Sequence, residues 1–140
     1  MKEDITFVYD DGGRAEAGFE GKAGDCVARA IAIASGKPYK EVYKELAKRN
    51  QEAGGKRSAR NGVARKVYEK YLTELGFTWI PKMKVGQGVT THVRKDELPN
   101  GIAILRLSRH LTVSVSGEIR DTYDPSRGGT RAVYGYYLKK

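Results

Sequence analysis

Asp25-Cys26-Val27-Ala28-Arg29-Ala30-Ile31-Ala32-Ile33-Ala34-Ser35-Gly36 is the stretch from which the rest of the chain can be read. Val27, Ala30, Ile31 and Ala34 recur at i, i+3, i+4 and i+7, the period of one helix face. Asp25 suits the N-cap of that helix and Gly36 its C-cap. The helix therefore opens on Cys26, the single cysteine of the chain. A thiol in a first helical turn lies near unpaired backbone N–H groups and the positive end of the dipole, and both favour thiolate.

Outward from this helix the pattern changes once. Upstream, Ile5 to Tyr9 is a β-rich run, Asp10-Asp11-Gly12-Gly13 is a turn signal, and Arg14 to Phe19 is expected to return as a second strand. Downstream, Pro38 suits the first turn of a second helix with Tyr39, Val42, Tyr43 and Leu46 on its apolar face. Gln51 to Asn61 reads as a loop, and a third helix is expected from about Val63 to Leu75, ended by Gly76. From Phe77 onward the period is that of strands: Phe77 to Ile80, Ile102 to Leu107, His110 to Val115, Glu118 to Tyr123 and Ala132 to Leu138. Helices first and strands second predict an α+β fold. A length of 140 residues fits one domain, 1–140, around a single core.

Composition narrows the classes of function. Apolar residues make up 39% and there are nine tyrosines, as in a folded chain. No apolar run reaches membrane-spanning length, so no membrane partner is expected. Residues 1–10 are charged and do not resemble a signal peptide. One cysteine excludes an internal disulfide framework and argues against a cysteine-based zinc site; neither a metal nor a cofactor is expected. A free thiol points to a cytoplasmic location. The net charge is +9, and residues 37–70 carry eleven Lys/Arg against four Glu. Within that stretch Lys56, Arg57 and Arg60 form a basic loop, either a solvated face or a weak nucleic-acid contact. No stacking platform of interleaved aromatics accompanies them.

The second histidine region carries the chemistry. His110 begins an alternating strand whose Leu111, Val113 and Val115 share one face. Placing Ile119 and Tyr123 on that same face opposes Val115 to Ile119 and leaves the loop Ser116-Gly117-Glu118. Asp124 then lies opposite His110, and Asp121 falls on the apolar side. Cys26 as nucleophile, His110 as proton carrier and Asp124 as its orienting carboxylate form a hydrolytic triad, with the Cys26 N–H as an oxyanion donor. Each residue alone has a bland alternative: a buried small side chain, a structural histidine, a turn-starting Asp-Pro. His92 reads as structural or surface, and Ser126-Arg127-Gly128-Gly129-Thr130-Arg131 as a turn that could frame a substrate entrance.

Gly24-Asp25-Cys26-Val27-Ala28-Arg29-Ala30, His110-Leu111-Thr112-Val113 and Asp124-Pro125 together resemble the papain-like cysteine peptidase superfamily, in particular compact members such as the bacteriocin-processing double-glycine leader peptidases. The stretches from Asp25 to Tyr39 and from Asp121 to Thr130 also resemble uncharacterised small proteins of phages and prophage-bearing bacteria. The peptidase likeness implies a Cys helix packed on a C-terminal antiparallel sheet and cleavage of a peptide, isopeptide or other amide bond, with a peptide or protein substrate. Such peptidases place a glutamine before the cysteine to bind the oxyanion; here the comparable residue is Glu20, an acceptor only, with Lys22 as a possible cationic donor. A different outcome compatible with the same residues is a catalytically weak or inactive module that binds protein or nucleic acid through its basic helical face.

Overall fold

The computed structural model describes residues 5–19, 24–60, 62–83, 86, 88 and 90–139. In chain order the elements are β1 (Thr6–Tyr9), α1 (Cys26–Ser35), α2 (Tyr39–Glu52), α3 (Arg65–Glu74), β2 (Phe77–Pro81), β3 (Ile102–Leu107), β4 (His110–Val115), β5 (Glu118–Asp121) and β6 (Gly135–Lys139), with a short 3-10 turn at Lys95–Glu97. The fold is α+β. Its sheet has six strands in the order β1-β5-β4-β3-β6-β2.

The sheet is mixed rather than wholly antiparallel, because β1 adds parallel to the edge of β5. Arg14 to Phe19 does not return as a strand beside it. The Asp11 carboxylate accepts the N–H groups of Gly13 and Ala15, and the Gly13 carbonyl accepts from Ala17, so this segment coils into consecutive turns. A side chain that satisfies local N–H groups offers the backbone an alternative to a ladder. Gly12, at φ 71°, lies against α1 so closely that a Cβ there would stand 3.0 Å from the Arg29 carbonyl oxygen.

Both faces of the sheet are buried. On one, the small side chains Ala28, Ala30 and Ala34 let α1 approach β4 and β3, and Ile31 packs with Val42, Leu46, Leu72, Ile104 and Val113. On the other, Ala103, Leu105, Leu107 and Ile119 meet Val93, Val133 and Tyr136. Gly36, at φ 75°, closes α1 as a left-handed cap whose N–H reaches the Ala32 carbonyl. Pro81 ends β2 at the outer edge of the sheet, where a missing N–H leaves no ladder bond unmade. Among the described residues no helix is long and apolar enough to cross a membrane.

One position limits the packing near the site. A Cβ at Gly135 would stand 2.4 Å from the Trp79 ring and 2.7 Å from the Ile80 carbonyl oxygen. Trp79 in turn meets the Tyr137 ring at 4.7 Å and 45° and carries the Arg65 guanidinium at 4.7 Å. Gly135→Ala is therefore expected to lower unfolding free energy by about 2–3 kcal/mol, through overpacking against the Trp79 ring and the Ile80 carbonyl oxygen. Urea denaturation of the two proteins measures it.

Candidate active site

Cys26 is the first residue of α1, half-buried, and its position is fixed by the residue before it. Asp25 occupies the N-cap position, but its carboxylate bonds none of the helix N–H groups. It is buried and binds the Arg29 guanidinium one turn on, the Tyr39 hydroxyl at the start of α2, and Arg14 Nε at 3.0 Å. Asp25 thus acts as a three-way anchor rather than the side-chain cap expected from sequence. Among the described residues, no N-cap side chain satisfies the N–H groups of the first turn beside the thiol.

His110 opens β4, and its Nε2 lies 2.7 Å from Asp121 Oδ2. The carboxylate that holds the imidazole is therefore Asp121, not Asp124. The register explains the change. Val115 pairs with Glu118, Ser114 with Ile119 and Val113 with Arg120, one residue away from the expected alignment. Ser116 and Gly117 make a two-residue turn with φ 48° and 84°, the left-handed pair that matches strand twist in a tight hairpin. The shift moves Ile119 to the opposite face from Leu111 and Val113, which is tolerated because that face has its own apolar cluster. Asp121 becomes a same-face diagonal neighbour of His110. Asp124 is exposed, and its carboxylate accepts the Ser126 N–H at 2.9 Å in a local turn. Tyr123 lays its ring against the imidazole at 5.2 Å.

The electrostatics couple the three groups. Burial opposes the charge of each, but specific partners win. Burial pushes the Cys26 thiol up, while hydrogen bonds from His110 and the Leu111 N–H bring it below its ordinary value. With Nε2 on Asp121, Nδ1 is the ring nitrogen left for sulfur. Burial pushes His110 down, while Asp121 and Cys26 raise it to about 9. Burial pushes Asp121 up; the hydrogen bond from His110 and the Thr122 N–H at 2.7 Å hold it below the ordinary carboxylate value. The partners thus favour the charged form of each group against burial.

A linkage prediction follows from His110. Its folded value lies above the unfolded one, so its contribution to stability is complete below about 6.5 and is lost as pH rises through about 9. The stability gap between the wild type and His110→Gln, on the order of 2 kcal/mol near neutral pH, should shrink across that window. Urea denaturation at stepped pH measures the gap.

Cys26, Val27, His110 and Leu111 border a cleft of about 580 Å³ whose far wall includes Arg65, Tyr68, Arg106 and Tyr134. The Ser126–Arg131 segment does not line it among the described residues; instead Arg131 Nη2 donates to the Ser108 carbonyl at 2.7 Å and steadies the β3–β4 turn. Glu20 and Lys22, considered for the oxyanion, lie outside the described residues. His92 is structural: its ring and its N–H both meet Glu97 Oε1 at 3.1 Å. Lys56, Arg57 and Arg60 are exposed between α2 and α3 and do not border the cleft. Among the described residues no group of three His, Cys, Asp or Glu side chains could hold a metal ion. The sequence reading missed Asp121 as the partner and Arg106 as a cleft residue. The signals were present, in the Ser116-Gly117 pair and in one arginine within the apolar run Ile102 to Leu107. No protein-family model, curated protein or solved structure matches this chain.

Proposed function

We propose that the protein is a papain-like cysteine hydrolase that cleaves a peptide, isopeptide or other amide bond with Cys26, His110 and Asp121. The observation that carries this reading is the imidazole of His110 shared between a buried carboxylate and the thiol at a helix start. The Cys26 thiolate attacks the carbonyl carbon and forms a C–S bond, moving the carbonyl electron pair onto oxygen. The Cys26 N–H and the uncapped first turn of α1 supply donors to that oxyanion. As the tetrahedral centre collapses, the C–N bond breaks and the leaving amine takes the proton from His110, giving a thioester. A water then loses a proton to His110 and attacks the thioester carbon. The acid departs and the thiolate–imidazolium pair is restored. Asp121 fixes the imidazole with one ring nitrogen toward sulfur throughout.

Acyl transfer can be measured without knowing the natural substrate. Mixing with p-nitrophenyl acetate should release a burst of nitrophenolate close to one equivalent, with acetyl carried on Cys26 in the mass spectrum. Cys26→Ala should abolish the burst. A burst that survives Cys26→Ala, or no acetylation of Cys26, would contradict the reading and favour a non-catalytic binding module.

A further inference from the structure

We infer that the Cys26 cleft selects a peptide-like substrate bearing a carboxylate, which Arg106 and Arg109 receive. This deepens the hydrolase reading and rests on it. The charged residues that border the cleft among those described are Arg65, Arg106, Arg109 and His110, with no carboxylate among them. Arg65 already has a partner, Glu69 Oε2 at 3.2 Å, and lies over Trp79. Arg106 and Arg109 make no ion pair among the described residues.

Arg106 is the more telling of the two. It is half-buried on β3, in the interior of the sheet, in a strand otherwise built from Ile, Ala and Leu. Its guanidinium stands 5.6 Å from the centre of the ring of Tyr134, which also borders the cleft. That guanidinium offers an incoming carboxylate two parallel N–H donors. Arg109 immediately precedes His110 and has φ 56°, the left-handed region that favours glycine or asparagine. Turn geometry therefore does not call for an arginine there, whereas a cation at the mouth of an acyl-binding cleft does. Both arginines border the same cleft as Cys26.

The test compares two alkylating agents that differ in one group. Iodoacetate carries a carboxylate; iodoacetamide carries the neutral amide. The ratio of their rates at Cys26, at neutral pH and low salt, should exceed the ratio for N-acetylcysteine by about tenfold, and should fall as salt is added. Arg106→Gln and Arg109→Gly should each reduce the ratio about threefold, the latter with melting unchanged or raised because glycine is at ease at that φ. Lys48→Gln, in the separate α2–α3 groove, should leave it unaltered. Protection against iodoacetamide then identifies the source of the carboxylate. Acetyl-Glu-Glu-Gly-amide offers side chains only, and acetyl-Gly-Gly offers a chain terminus only. Stronger protection by the first assigns an acidic side chain, and by the second a C-terminus. If iodoacetamide reacts fast but both arginine variants keep the wild-type ratio, or if acetyl-Gln-Gln-Gly-amide protects as well as the acidic peptides, carboxylate selection is wrong and the hydrolase reading stands. If iodoacetamide reacts no faster than with N-acetylcysteine, the activated thiol is wrong and the substrate inference falls with it.

Discussion

Asp121→Ala should slow acyl transfer to Cys26 by about 100-fold or more, while Asp124→Ala should leave it within about twofold. The difference is geometric. Asp121 Oδ2 lies 2.7 Å from Nε2 of His110, and both side chains are buried; Asp124 is spent on the Ser126 N–H in an exposed turn. Without Asp121 the imidazole loses its fixed orientation and the charge that favours the imidazolium. Asp121→Asn should recover part of the rate, because its amide oxygen can still accept from Nε2–H although the charge is gone. Burst kinetics with p-nitrophenyl acetate, read beside a thermal melt, separate loss of chemistry from loss of fold. Equal losses for the Asp121 and Asp124 variants, with melts unchanged, would mean that Asp121 does not orient the ring.

Asp25→Ala should destabilise the fold by about 3–5 kcal/mol, well above the roughly 1 kcal/mol expected for a lost N-cap. Its carboxylate has no accessible surface and holds Arg14, Arg29 and Tyr39 together. Removing it leaves two nearly buried guanidinium groups and a buried phenol without their shared acceptor. Because this anchor ties the turn after β1, α1 and the start of α2 at one point, the same change should also loosen the placement of Cys26. Urea denaturation gives the free energy. A loss near 1 kcal/mol would mean that Asp25 serves the helix end alone.

What could be read from the chain depended on period and punctuation. The 3.6-residue apolar repeat between Asp25 and Gly36, bounded by a cap residue and a glycine, gave a helix whose bounds hold at both ends, Cys26 and Ser35. Gly76 and Pro81 likewise mark the places where α3 has ended and β2 stops. The hairpin register was harder, because it rested on the premise that one face of the sheet is buried. Here Ile119 is buried on the face away from Leu111 and Val113, so grouping the apolar residues misplaced the pairing by one. The turn chemistry of Ser116-Gly117 was the better guide, since a two-residue loop with positive φ at both positions fixes the alignment without reference to burial. β1 was legible as a strand but not its partner: a parallel pairing with β5 joins residues more than a hundred positions apart, and no local pattern encodes it. The basic excess of residues 37–70 was visible as charge. The pairing of Arg49 with Glu74 was not, because the two come together only when α2 packs on α3.

The central claim is that Cys26 and His110 exist as a thiolate–imidazolium pair in the native protein. The pH dependence of iodoacetamide alkylation at Cys26 tests it most directly, since the rate follows the thiolate fraction. In the wild type the inflection should lie below that of a free thiol. In His110→Ala the inflection should move back up, because the hydrogen bond and charge that oppose burial are gone while the burial remains. An inflection in the wild type at or above the free-thiol value of about 8.5, unchanged by His110→Ala, would contradict the pair.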